Sequence, residues 1–173
     1  MSLKWNSPLN NKFNRELQDK SFGFKDHIYF NISNNINRFH AIYFVDSVSG
    51  ALLVSNKYSD KIGLSETDGD LISSFLNAIN MFIREIKRNQ YEEIQEINFS
   101  DTRILYEKRG RLLCIGISKK TDLEIERKVL HDIIKDFYYR FENEITHFNG
   151  FITPAILNYK TRLKDFNSLV KKL

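Results

Sequence analysis

The stretch Asp70-Leu-Ile-Ser-Ser-Phe-Leu-Asn-Ala-Ile-Asn-Met-Phe-Ile-Arg-Glu-Ile-Lys-Arg88 constrains the fold more than any other. Its apolar residues fall into two interleaved rows, Ile72/Leu76/Ile79/Ile83/Ile86 and Leu71/Phe75/Ala78/Phe82, each stepping by three or four as one side of a helix requires. At about 100° per residue the rows lie side by side and span roughly 160°, wider than the roughly 100° stripe that seats a helix on one sheet. The first row suits a sheet. The second asks for a further contact, supplied by this chain or by another protein.

Two apolar runs precede this helix and three follow it. Phe39-His-Ala-Ile-Tyr-Phe-Val45 is apolar at nearly every position, as a strand covered on both faces reads, and is expected to be the central strand. Asp46-Ser-Val-Ser-Gly50 supplies turn residues, and Ala51 to Ser55 runs back as its hairpin partner. Lys57 to Gly69 reads as a polar loop, with Asp68 or Asp70 available to cap the helix. Beyond the helix, Glu93 to Ser100 places Ile97 and Phe99 on one face, Arg103 to Lys108 alternates, and Leu112-Leu-Cys-Ile-Gly-Ile117 reads as buried on both faces. Lys108-Arg-Gly-Arg111 is a tight hairpin with Gly110 at positive φ, while Gly116 implies close backbone packing or a bulge. Upstream, His27 to Ser33 followed by Asn34-Asn35 offers one extra edge strand.

The row Leu130/Ile133/Phe137/Phe141/Ile145/Phe148 predicts a long helix from Asp122 to about Phe148, closed by Asn149-Gly150. Thr153 and Pro154 then suit the cap and first turn of another helix. Its row Ile156/Tyr159/Leu163/Phe166/Val170/Leu173 has heptad spacing, fit to dock on its own domain or on a partner helix. The fold class that follows is α+β with α/β/α layers: a five-stranded antiparallel sheet, a central helix after strand 2, and C-terminal helices on the other face. Residues 1–37 form an N-terminal extension, 38–148 the domain, and 149–173 an additional amphipathic helix.

Hydrophobic content of 42% over 173 residues supports a folded domain with a sizeable core. The net charge of +4 is spread along the length, without the basic, aromatic-interleaved element that nucleic acid requires. Lys160, Arg162, Lys164, Lys171 and Lys172 read as a solvated helix face, whose other use is peripheral contact with an anionic membrane. A single cysteine, Cys114 between Leu113 and Ile115, excludes an internal disulfide and fits a reducing compartment. The N-terminus lacks the apolar core of a signal peptide, and no run approaches the roughly 18 apolar residues of a spanning helix. A soluble, cytoplasmic protein is expected.

Catalytic chemistry finds no support. A nucleophile needs a base and an orienting group, which a sequence reveals only through a motif, and none is present. His27, His40, His131 and His147 are scattered without metal-ligand spacing. Asp60, Glu66, Asp68 and Asp70 miss the register of a calcium loop, and Gly63 and Gly69 do not follow a strand in phosphate-cradling order. No catalytic residue, metal or cofactor is therefore expected. The candidate partner-binding residues are Leu71, Phe75, Ala78 and Phe82 on the helix, with Ile97 and Phe99 on the edge strand beside it.

The segment Ala41-Ile-Tyr-Phe-Val-Asp-Ser-Val-Ser-Gly-Ala-Leu-Leu-Val54, followed by Asp70-Leu-Ile-Ser-Ser-Phe-Leu-Asn-Ala-Ile79, is similar to longin-like and roadblock-like small-GTPase-associated domains. The resemblance covers about residues 38–148, and the long helix after the third meander strand favours longin over PAS. It implies a non-catalytic platform that forms homo- or heterodimers, or holds partners, through the central helix and an adjacent strand. It also implies a small GTPase or membrane-trafficking partner. The alternative is a PAS- or profilin-like sensory module holding a small ligand in an apolar pocket between sheet and long helix.

Overall fold

The computed structural model describes residues 31–59, 69–86 and 93–168. A helical segment over 31–35 (α1) leads through a 3-10 turn, Ile36–Arg38, into β1 (Phe39–Asp46) and β2 (Leu52–Lys57). Helix α2 (Gly69–Ile86) follows. The meander β3 (Glu96–Asn98), β4 (Arg103–Arg109) and β5 (Leu112–Ser118) then leads to helices α3 (Leu123–Thr146) and α4 (Pro154–Ser168). The five strands form one antiparallel sheet in the order β2-β1-β5-β4-β3. The middle strand is thus β5, with β1 as its interior neighbour, although β1 reads as the central strand in the sequence. Both runs are buried along their whole length, so continuous apolarity marks an interior strand without ranking the two.

Strand alternation splits the core into two layers. Ile42 and Phe44 of β1 join Leu105, Leu112 and Cys114 on the face covered by α3 and α4. Ala41, Tyr43 and Val45 join Tyr106, Leu113, Ile115 and Ile117 on the opposite face, against which Ile72 of α2 packs. At the centre of the first layer Phe137 stacks on Phe44, with ring centroids 4.2 Å apart and planes 14° apart. Tyr159 of α4 stands edge-on to both rings, at 4.8 Å from Phe137 and 5.7 Å from Phe44. Such geometry suits the ring quadrupoles and adds to the area buried.

Helix α4 docks on its own domain. Ile156, Tyr159, Leu163 and Phe166 are all buried in the first layer, and the Tyr58 hydroxyl donates to the Leu163 carbonyl at 3.2 Å. Thr153 caps α4 as its position predicts, accepting from the Ile156 N–H at 3.4 Å. Asp122 caps α3, accepting from the Ile125 N–H at 3.1 Å.

Three local expectations are corrected. An extra strand over His27 to Ser33 does not hold where the structure describes it, because residues 31–35 are helical; residues 27–30 lie outside the described residues. The cause is the four-residue spacing of Ile32 and Ile36, which turns both into the core, helped by the Asn35 amide bonding back to the Asn31 carbonyl at 3.0 Å. Strand β3 is three residues long, shorter than the Glu93 to Ser100 run. Helix α3 ends at Thr146, before Asn149-Gly150, with non-helical angles at Phe141 (φ −126°, ψ 23°). Arg111 donates to the Phe148 carbonyl at 3.2 Å, holding that residue in the connection, where Gly150 takes its positive φ of 98°.

Gly110 occupies the β4–β5 turn at φ 59°. Gly116 serves a different end: a Cβ there would lie 2.6 Å from Phe39 Cε1 and 2.9 Å from Leu130 Cδ1, both side chains being buried. Gly116→Ala is expected to lower stability by about 1–3 kcal/mol through overpacking. In urea unfolding the midpoint should fall at constant m. An unchanged midpoint would mean that α3 stands farther from β5 than this packing requires.

Candidate interaction surface

Helix α2 presents its two rows differently. Ile72 and Ile79 are half-buried, while the side chains of Leu76, Ile83 and Ile86 lie outside the described residues. Leu71 (72% exposed), Phe75 (59%) and Phe82 (64%) face solvent, as does Ala78, and Met81 (60%) widens the strip. Because α4 lies on the other face, against β2 and the layer containing Phe44, it leaves this second row open. Four large apolar side chains on one exposed helix exceed the scattered surface hydrophobics of an ordinary domain.

The edge-strand candidates separate. Ile97 is half-buried and packs on the same layer as Ile72, whereas Phe99 is 52% exposed. Among the described residues β3 pairs only with β4 and forms one edge of the sheet. The backbone of α2 runs closest to β1 and β2, toward the other edge. The backbone of α2 and the edge strand therefore lie toward opposite edges of the sheet, whose strands are spaced about 4.8 Å apart.

Three carboxylates, Asp46, Asp136 and Glu126, hold loops and helices together. Asp46 ends β1, and its carboxylate accepts from the Ser49 N–H at 2.8 Å, the Ser49 hydroxyl at 2.6 Å, and Arg111 Nε and Nη2 at 2.9 and 3.0 Å. Burial pushes its pKa up, but the bonds from Arg111 and Ser49 outweigh this and hold it below the usual carboxylate value. Asp136 ties α3 to α4 by accepting from Tyr159 at 2.8 Å and from Arg162 at 2.7 and 3.0 Å. There too burial raises the pKa and the bonds from Arg162 and Arg140 bring it below the ordinary value. The fully buried Glu126 accepts from the Ser118 hydroxyl at 2.7 Å, the Thr121 N–H at 2.7 Å and the Asp122 N–H at 3.0 Å. It reaches back over the start of α3 as a capping-box residue does, from four positions on rather than three.

Asp46 and Asp136 give a signed acid response. Asp46 and Asp136 bind a proton less readily folded than unfolded, so their contribution is complete above the unfolded value. It is lost as the pH falls through the lowered folded values. The stability gap between wild type and Asp46→Asn should therefore narrow below about pH 4. Urea midpoints taken across the acid range check this, and a gap independent of pH would contradict it.

Burial pushes the Cys114 thiol well above its ordinary range, which suits a packing residue and not a nucleophile. The Tyr106 hydroxyl is buried with no hydrogen-bond partner among the described residues. Tyr106→Phe is accordingly expected to raise stability, by about 1 kcal/mol. A thermal melt that drops by several degrees would instead assign that hydroxyl a partner. Among the described residues no group of three His, Cys, Asp or Glu side chains could hold a metal ion, and no helix is long and apolar enough to cross a membrane.

Sequence reasoning did not find the Asp46–Arg111 pair, whose members lie 65 residues apart, or the Asp136 junction. No spacing rule links residues that only the fold brings together. Glu126 had a local signal, its position one turn after the cap.

The described residues define an α+β domain: a five-stranded antiparallel sheet, built from the β1–β2 hairpin and the β3–β5 meander, with one helix inserted after β2 and two more after β5. No family model matches the sequence, and a search of curated proteins finds no match. Among solved structures the chain is similar to Myxococcus xanthus MglB, at 14% identity and a TM-score of 0.45, over 62% of this chain and 89% of that one. It is also similar to a chain in a homology model of the full-length AP-3 complex in a stretched open conformation, at 10% identity and a TM-score of 0.37, over 78% of this chain and 96% of that one.

Proposed function

We propose that this chain is a non-catalytic protein-interaction platform that pairs with a second copy through the outer row of α2. In the cytoplasm it would bind or regulate a small GTPase or a membrane-trafficking partner. The observation that carries this reading is the exposure of Leu71, Phe75, Met81 and Phe82 along one helix whose Ile72 is turned to the sheet. Burying each such side chain contributes about 1.5–3 kcal/mol. Four of them are of the same order as the roughly 4–15 kcal/mol that association costs in lost freedom. The strip supports a reversible pair, and Phe99 with the β3 edge offers a second contact region. The GTPase rests on the longin-like and roadblock-like resemblance of residues 41–54 and 70–79.

The sensory reading has less to draw on. A ligand pocket between sheet and long helix would occupy the space that Phe44, Phe137, Phe141 and Tyr159 fill. Purified small GTPases, loaded in turn with GDP and with a non-hydrolysable GTP analogue, test the partner. The expected result is nucleotide-dependent retention of at least one of them on the immobilised wild-type chain. Equal, background-level retention of every GTPase in both states would remove the GTPase from the proposal.

A further inference from the structure

We draw no further inference here: the strongest candidate, the cluster of Arg38, Lys119, Lys120 and Thr121 at the N-terminal end of α3, where Arg38 donates to the Thr121 hydroxyl at 2.9 Å, is a helix N-terminus with no second observation that points to a ligand.

Discussion

Phe137→Ala is expected to lower the unfolding free energy by about 3–5 kcal/mol, the range for removing a buried aromatic ring from a core. Phe137 is fully buried and touches three rings of the first layer: Phe44 by stacking at 4.2 Å, Tyr159 edge-on at 4.8 Å, and Phe141 at 4.9 Å. Its loss leaves a ring-sized void between sheet and α3, and it also withdraws the surface on which Tyr159 of α4 rests. For a chain of this size each kcal/mol moves Tm by about 2–4 °C, so a fall of roughly 6–20 °C is predicted. Phe137→Leu keeps most of the volume and should cost distinctly less. Thermal or urea unfolding decides it. A cost for Phe137→Ala no greater than that of a surface substitution would show that α3 and the sheet do not meet through this ring.

Phe75→Asp and Phe82→Asp are expected to act in the opposite way, sparing the fold and abolishing assembly. Both side chains are exposed in the single chain, and exposed substitutions usually change folding stability by no more than about 0.5 kcal/mol. At an interface the same change removes about 1.5–3 kcal/mol of apolar burial. It also places an unpaired carboxylate in an apolar contact, at a further cost of about 1–3 kcal/mol or more. The sum corresponds to a loss of affinity of about 100-fold to 10,000-fold. Unfolding midpoints measured beside affinity separate the two effects. A variant that loses both would indicate that its phenylalanine supports the fold.

What the sequence made legible was periodicity. The apolar runs Phe39 to Val45 and Leu112 to Ile117 are strands β1 and β5, and the row Ile156/Tyr159/Leu163/Phe166 is the buried side of α4. Gly110, Gly116 and Thr153 also do in the fold what their chemistry suggests. Periodicity did not say where α4 packs, because a heptad row fits a neighbouring helix of the same chain as well as a partner. The contact of Tyr159 with Phe137 and Asp136 is what fixes it. Residues 31–35 misled for a related reason: Ile-Ser among asparagines suits a strand or a turn locally, and only the shared burial of Ile32 and Ile36 selects the helix. Ionic junctions such as Asp46–Arg111 join distant parts of the chain and leave no local pattern at all.

For the candidate surface, the sequence supplied the helix and its surplus apolar width, and the fold distributes that width. Ile72 goes to the sheet, while Leu71, Phe75 and Phe82 stay in solvent because α4 covers the opposite face. Ile97, taken from the same reasoning, packs on that sheet face, so Phe99 is the more exposed residue at that edge.

Pairing of two copies through the outer row of α2 is tested by the solution mass of the purified chain, measured by light scattering coupled to size exclusion. A single chain has a mass of 20.5 kDa. The wild type is expected to elute at twice that mass, and Phe75→Asp and Phe82→Asp at the single-chain mass with unchanged unfolding midpoints. A wild type that stays at the single-chain mass at every concentration, with both variants coinciding with it, would show that this row does not pair two copies.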